Sequence, residues 1–111
     1  MVKYSKADPS LDEVFAALTD PTRRAMLAHL RAGPATVTEL AAPLGATLPA
    51  MAKHLAVLER TGLITTRKVG RSRHCTLRAG ALRPAAEWMD GYRRFWADRL
   101  DSLEDYLEEN P

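Results

Sequence analysis

TVTELAAPLGATLPAMAKHLAVLERTGLI, residues 36–64, encodes two helices joined by a tight turn. Thr36 and Glu39 have capping-box spacing: a threonine hydroxyl accepts from the third backbone amide while the glutamate reaches back to the first. Leu40 and Leu44 are expected on the buried side of a short helix, and Gly45 supplies a left-handed stop. Pro43 removes one backbone donor and crowds the carbonyl four residues back, which predicts a distorted last turn. Thr47 then caps a second helix running to about Thr61-Gly62. Met51, Leu55 and Leu58 form its buried stripe, which leaves Pro49, Ala50, Lys53, His54 and Val57 mainly on other faces. Two helices around a Gly45-Ala46 turn make a helix-turn-helix.

Two helices are predicted upstream of this stretch. Leu11, Val14, Phe15 and Leu18 share one face of a helix over about residues 10–19. Asp20-Pro21 restarts the chain: the aspartate caps the free amides of a new first turn, and the proline sits where no intrahelical N–H is needed. This helix turns Met26, Leu27 and Leu30 inward and stops at Gly33-Pro34. Downstream the period changes. Residues 63–68 and 73–77 are β-branched, partly alternating runs separated by Val69-Gly70-Arg71-Ser72, a two-stranded hairpin with a basic tip. From Pro84 to about Glu109 the pattern is helical again, with Met89, Tyr92, Trp96, Leu100, Leu103 and Leu107 at threes and fours and Trp88 and Phe95 widening the stripe. The expected fold is mainly α with a small β-hairpin, in the order α-α-α-α-β-β-α, a winged helix-turn-helix. Residues 1–111 read as one domain, with a core over 10–83, a wing at about 63–77 and a last helix over 84–109.

The net charge of +2 conceals a strong asymmetry. Residues 47–83 hold eight basic residues (Lys53, Arg60, Arg67, Lys68, Arg71, Arg73, Arg78, Arg83) against one acid, Glu59. Residues 84–111 hold three arginines against eight acids. A basic region confined to one helix and its hairpin is the electrostatic footprint of a polyanion binder. In a helix-turn-helix the second helix enters the major groove by its N-terminal residues. Here these are Thr47, Leu48, Pro49, Ala50, Lys53 and His54. Lys53 suits a guanine edge or a phosphate, His54 a phosphate, a base acceptor or packing against the core instead of DNA, and the three apolar residues a thymine methyl. Thr36 and Thr38 are placed for phosphates. Arg67, Lys68, Arg71 and Arg73 on the hairpin suit the backbone or the adjacent minor groove.

The last helix bears an aromatic stripe broader than a small trihelical core covers, and a second copy of the chain is the expected partner. The surface assigned to that partner comprises Leu11 and Phe15 on the first helix, with Trp88, Met89, Tyr92, Phe95, Trp96, Leu100, Leu103 and Leu107 on the last.

Thr38-Glu39-Leu40-Ala41, followed by Leu48-Pro49-Ala50-Met51-Ala52-Lys53-His54-Leu55-Ala56-Val57-Leu58-Glu59-Arg60-Thr61-Gly62-Leu63-Ile64, resembles the signature of the ArsR/SmtB regulators. Asp20-Pro21-Thr22-Arg23-Arg24 and the Gly70-Arg71 tip match as well, and the likeness spans roughly residues 10–107. Pro43 and the aromatic last helix resemble a branch that binds no metal. The resemblance implies a homodimeric repressor on a palindromic duplex operator, its interface built by the first and last helices. One position departs: many relatives carry serine before the Lys-His-Leu triplet, where this chain has Ala52, so one potential hydrogen bond to DNA is missing.

The family's sensor metals find no ligands. The cysteine pair of the arsenic- and cadmium-responsive members is absent, with Ala41 and Pro43 in that region. The Asp and His of the zinc-responsive members are also missing, since no histidine follows His74. One cysteine with His29, His54 and His74 on three elements does not make tetrahedral spacing. No cofactor is expected, and the residues leave any small-molecule effector open. Cys75 invites a redox switch, Arg73 and His74 being close in sequence, but strand neighbours point to opposite faces and a small buried core residue is favoured. An enzyme is disfavoured: there is no glycine-rich phosphate loop, no paired carboxylates and little chain for a cleft. A winged-helix docking module without DNA binding is the main rival, and it leaves the basic cluster unexplained. A lone cysteine, an N-terminus without an apolar run and the lack of any 18-residue apolar stretch point to the cytoplasm and away from membranes.

Overall fold

The computed structural model describes residues 10–110, so the reading of the N-terminal nine residues lies outside it. Helix α1 (Leu11–Ala17) is capped by the Ser10 hydroxyl, which accepts from the Glu13 amide at 3.1 Å. Helix α2 (Pro21–Leu30) starts as expected: Asp20 Oδ1 accepts from the amides of Thr22 (2.8 Å) and Arg23 (3.1 Å). Two side chains of α2 close the end of α1. Arg23 Nε donates to the Ala17 carbonyl at 2.7 Å and Arg24 Nη1 to that of Leu18 at 2.6 Å, so orphan carbonyls at one helix end are satisfied by the next helix.

Strand β1 (Ala35–Thr36) leads into α3 (Val37–Ala41), and Thr36 is both strand end and N-cap. Both capping-box bonds are formed, Glu39 N–H to Thr36 Oγ1 at 3.2 Å and Thr36 N–H to Glu39 Oε1 at 3.0 Å. Pro43 has the predicted effect: α3 tightens into a 3-10 turn, Ala42–Leu44. That turn corrects one expectation. Three residues per turn rotate Leu44 off the inner face; it is 39% exposed while Leu40 is buried. The amide of Ala46 then bonds the Ala41 carbonyl and that of Gly45 the Ala42 carbonyl, a Schellman close made possible by Gly45 at φ +59°.

Helix α4 (Leu48–Arg60) ends in the same way at Gly62 (φ +78°), where Leu63 N–H bonds the Leu58 carbonyl and both side chains are buried. Strands β2 (Ile64–Val69) and β3 (Ser72–Leu77) form the hairpin in the register Ile64↔Leu77 to Val69↔Ser72. The sheet has three strands, not two: β1 pairs antiparallel with β3 through Ala35↔Cys75 and Thr36↔His74, giving the order β1-β3-β2. A two-residue strand is too short to reveal itself by alternation. It answers the marginal stability of an isolated hairpin by tying β3 to the start of α3.

The last segment also differs from the single helix expected. After a 3-10 turn (Ala79–Leu82), α5 (Arg83–Asp90) and α6 (Arg93–Glu109) are separated at Gly91-Tyr92. Bonds there shorten to the three-residue kind, Gly91 N–H to Trp88 O and Tyr92 N–H to Met89 O. Glycine costs about 1 kcal/mol in a helix, so the continuous ladder is weakest here. A Cβ on Gly91 would lie 3.3 Å from the Trp88 carbonyl oxygen, so the tightened turn also favours its absence. Val14, Met26, Leu40, Met51, Leu58, Leu63, Ile64 and Cys75 make the centre of the core. No helix among the described residues is long and apolar enough to cross a membrane.

Leu58 is fully buried, and Leu58→Ala is expected to destabilise the fold by about 2–5 kcal/mol in urea titration, the transfer loss plus the cavity. The Asp20 carboxyl is held below its ordinary 3.8, first by the Arg23 amide and also by those of Thr22 and the charge of His54. A depressed carboxylate stabilises the fold above its unfolded value and loses that contribution as pH falls through the folded one. The advantage of wild type over Asp20→Ala in thermal melts should therefore shrink as pH falls below 3.8.

Candidate nucleic-acid interface

Helix α4 has two sides set by its stripe. Met51, Leu55 and Leu58 face the core, while Leu48, Pro49, Ala50, Ala52, Lys53 and Ala56 are exposed. Its first turn is fixed by Thr47 Oγ1, which accepts from the Ala50 amide at 3.3 Å, and by a proline near the start, where no donor is wasted. His54 does not share this open face. Its side chain is 23% exposed and Nδ1 lies 3.9 Å from Asp20 Oδ1, so it buttresses the start of α2. Thr36 is half-buried with its hydroxyl committed to Glu39, whereas Thr38 is exposed. The Glu39 carboxyl is held low, first by the Thr36 backbone N–H and then by its hydroxyl.

The wing turns at Gly70-Arg71, with Gly70 at φ +62° and no positive φ at any non-glycine residue described. A left-handed glycine followed by an ordinary residue is the pattern of a type II′ hairpin turn, whose twist matches that of the strands. Alternation splits the basic quartet. Lys68 and Arg73 are directly opposed and share the face of Cys75, Arg67 takes the other face, and Arg71 stands at the tip. Arg73 is engaged within the chain: its Nη1 lies 4.0 Å from Glu59 Oε2 and 3.4 Å from Thr66 Oγ1, and the Thr66 hydroxyl donates to the same carboxylate at 3.1 Å. Glu59 was the one acid visible in the basic region, and its work is to tie β2 and β3 to α4. Lys53, Arg67, Lys68 and Arg71 form no ion pair among the described residues.

The start of α3, the outer face of α4 and the wing enclose a cleft of about 490 Å³. Thr36, Thr38, Leu48, Arg71 and Arg73 line it, and so do Ala52, Ala56, Glu59 and Ser72, none of which was assigned a DNA contact from the sequence. Ala52 and Ala56 had a signal, since they fall one and two turns after Leu48 on the outward face. Pro49, Ala50, Lys53, His54, Arg67 and Lys68 lie outside this lining.

At the other end, Trp88 packs edge-on against Phe15 (centroids 5.7 Å) and at a tilt against Tyr92 (5.2 Å), so α5 leans on α1 within the same chain. Leu11 and Phe15 are half-buried against the core. Beyond the break the stripe is open. Phe95, Trp96, Leu100, Leu103 and Leu107 are all more than half exposed, and so is Tyr106, which the sequence reading did not place on it. Arg99 covers part of the Phe95 ring at 4.7 Å.

Cys75 is fully buried, and burial pushes its thiol up from the ordinary value, against a smaller lowering by Arg73. Among the described residues no group of three or more His, Cys, Asp or Glu is arranged to hold a metal ion.

A helix packed by one stripe, with its first turns open beside a basic hairpin, defines a winged helix-turn-helix protein. Residues 18–67 match the family model described as a helix-turn-helix domain. HTH-type transcriptional regulator Rv2034 of Mycobacterium tuberculosis is 37% identical over 91 residues, 82% of each chain. The transcriptional repressor SdpR of Bacillus subtilis is 29% identical over 71% of this chain and 88% of its own. Among solved structures, the ArsR family transcriptional regulator RHA00566 superposes with a TM-score of 0.70 at 42% identity, covering 78% of this chain and 96% of that one. An ArsR-like regulator from Rhodococcus sp. RHA1 gives 0.65 at 32%, covering 86% and 91%. The chain belongs to the ArsR family of DNA-binding transcriptional regulators.

A buried thiol whose ionisation is disfavoured reacts slowly. Cys75 is expected to resist a disulfide exchange reagent in the native protein and to react fully once urea unfolds the chain. Fast native labelling would restore the redox reading.

Proposed function

We propose that the chain is a homodimeric repressor that reads a palindromic duplex operator with α4 and clamps the flanking backbone with its wing. The observation that carries this reading is a set of exposed cations with no ion pair among the described residues, Lys53 on the open turns of α4 and Arg67, Lys68 and Arg71 on the hairpin. Four uncompensated charges on one helix and its neighbouring ribbon suit a polyanion. The first turns of α4 enter the major groove, where Lys53 meets a guanine edge or phosphate and Leu48, Pro49 and Ala50 make apolar contacts. Thr47 holds that turn, and Thr38 and the backbone of α3 lie toward the phosphates. Thr36 acts through its cap rather than through a free hydroxyl. His54 sets the pose of α4 against α2 and Arg73 the pose of the wing, each through its carboxylate partner.

The second copy is supported by the open stripe of α6. An exposed run of Phe95, Trp96, Leu100, Leu103 and Leu107 is costly in water, and a two-fold partner covers such a face with its own equivalent. The repressor role is supported by the name of the Bacillus relative.

The test is anisotropy of labelled DNA from the chain's own promoter across a salt series. If each protomer neutralises about three phosphates, the dimer slope in log Kd against log salt is near +5, binding weakening as salt rises. Lys53→Ala is expected to narrow the gap between operator and scrambled DNA by about 1–3 kcal/mol. Arg67→Ala/Arg71→Ala should weaken both duplexes alike with a shallower slope. Leu100→Asp should yield monomers in sedimentation and cost most of the operator affinity. Binding indifferent to salt and to all three variants would sink the reading.

A further inference from the structure

A second cleft lies between α2, the end of β3 and α5. It encloses about 430 Å³. Its walls are apolar, Leu27, Leu77, Leu82 and Met89 among them, and its only charged members are Arg24 and Arg31. These arginines are seven residues apart, hence two turns apart on one face of α2. Arg24 spends one nitrogen on the Leu18 carbonyl, and Arg31 forms no ion pair among the described residues. No carboxylate lines the cleft.

We propose that this cleft binds a single-chain, medium-length carboxylate and that this ligand is the effector of DNA binding; the second half rests on the regulator reading above. Apolar walls select a hydrocarbon tail, and two guanidinium groups without an acid to neutralise them select an anionic head, for which arginine has the matching fork. At roughly 30 Å³ per water-sized group the space holds on the order of fourteen heavy atoms, a chain of about ten carbons with its carboxylate. The position supplies the coupling. The ligand touches α2 and β3 of the DNA-binding head and α5 of the segment leading to α6, so it biases the angle between them. An effector works by preferring one arrangement of two such parts over the other.

The experiment titrates the full-length chain, without DNA, with decanoate below its micelle concentration by calorimetry, alongside decan-1-ol and acetate. Decanoate is expected to bind one per chain. The alcohol, which lacks the charge, and acetate, which lacks the tail, should each bind at least about tenfold more weakly. Arg31→Glu removes a head contact and Ala28→Phe fills the cleft from an exposed position on α2; each should weaken decanoate by about tenfold or more while circular dichroism stays unchanged. Saturating decanoate should shift operator affinity in wild type and not in Ala28→Phe. The cleft assignment is overturned by three results: no binding, decan-1-ol as tight as decanoate, or affinity that falls as protein concentration rises, which would mean a second copy occupies the cleft. Decanoate binding without any change in operator affinity overturns the effector role alone. Failure to bind any DNA removes the regulator reading while the calorimetry still decides the cleft.

Discussion

Met51, Leu55 and Leu58 have to leave water along one side of a thirteen-residue helix, and the outward face of that helix is decided by theirs. Three such side chains represent about 5–9 kcal/mol of transfer free energy, the same size as the whole stability of a small domain. No rotation of α4 about its axis survives that loss, so Leu48, Ala52, Lys53 and Ala56 are outward by necessity. The rest of the head serves to hold this one helix. Leu40 of α3 and Met26 of α2 close the stripe, and the Schellman ends at Gly45 and Gly62 fix where the chain enters and leaves it.

Polar links then set what the stripe leaves free. Asp20 caps α2 and meets His54 of α4, so the first turn of one helix and the middle of another are pinned by a single carboxylate. Glu59 does the same for the wing, accepting from Thr66 and facing Arg73. These links are exposed or half-exposed, and their energies are modest. Their value is directional: they hold two elements in one relative pose while the neighbouring cations Lys53, Lys68 and Arg71 form no ion pair among the described residues.

What could be read from the chain was what is local. The caps at Asp20, Thr36 and Thr47 and the distortion at Pro43 involve partners within a few residues, and all of them appear as spacing. The buried stripe of α4 follows from its period for the same reason. What stayed hidden depends on residues far apart in sequence. His54 looks like an open groove-facing histidine until Asp20, thirty-four positions earlier, is folded against it. Arg73 looks free until Glu59 meets it, and the strand at Ala35–Thr36 exists only because Cys75 and His74 lie alongside. The break at Gly91 was concealed differently: the apolar spacing from Met89 to Trp96 runs through it without a change of period, so only the glycine itself marked the place.

The interrupted ladder at Gly91-Tyr92 also acts as a lever. Helix α6 has seventeen residues, about 25 Å of rigid rod beyond the joint. A bend of about 5° there moves its far end by roughly 2 Å. Where two protomers are held together through such rods, the separation of their reading heads becomes a function of one hinge angle. DNA half-sites are spaced by the helical repeat of the duplex, so the angle at a single glycine enters directly into how well a pair of heads matches that spacing.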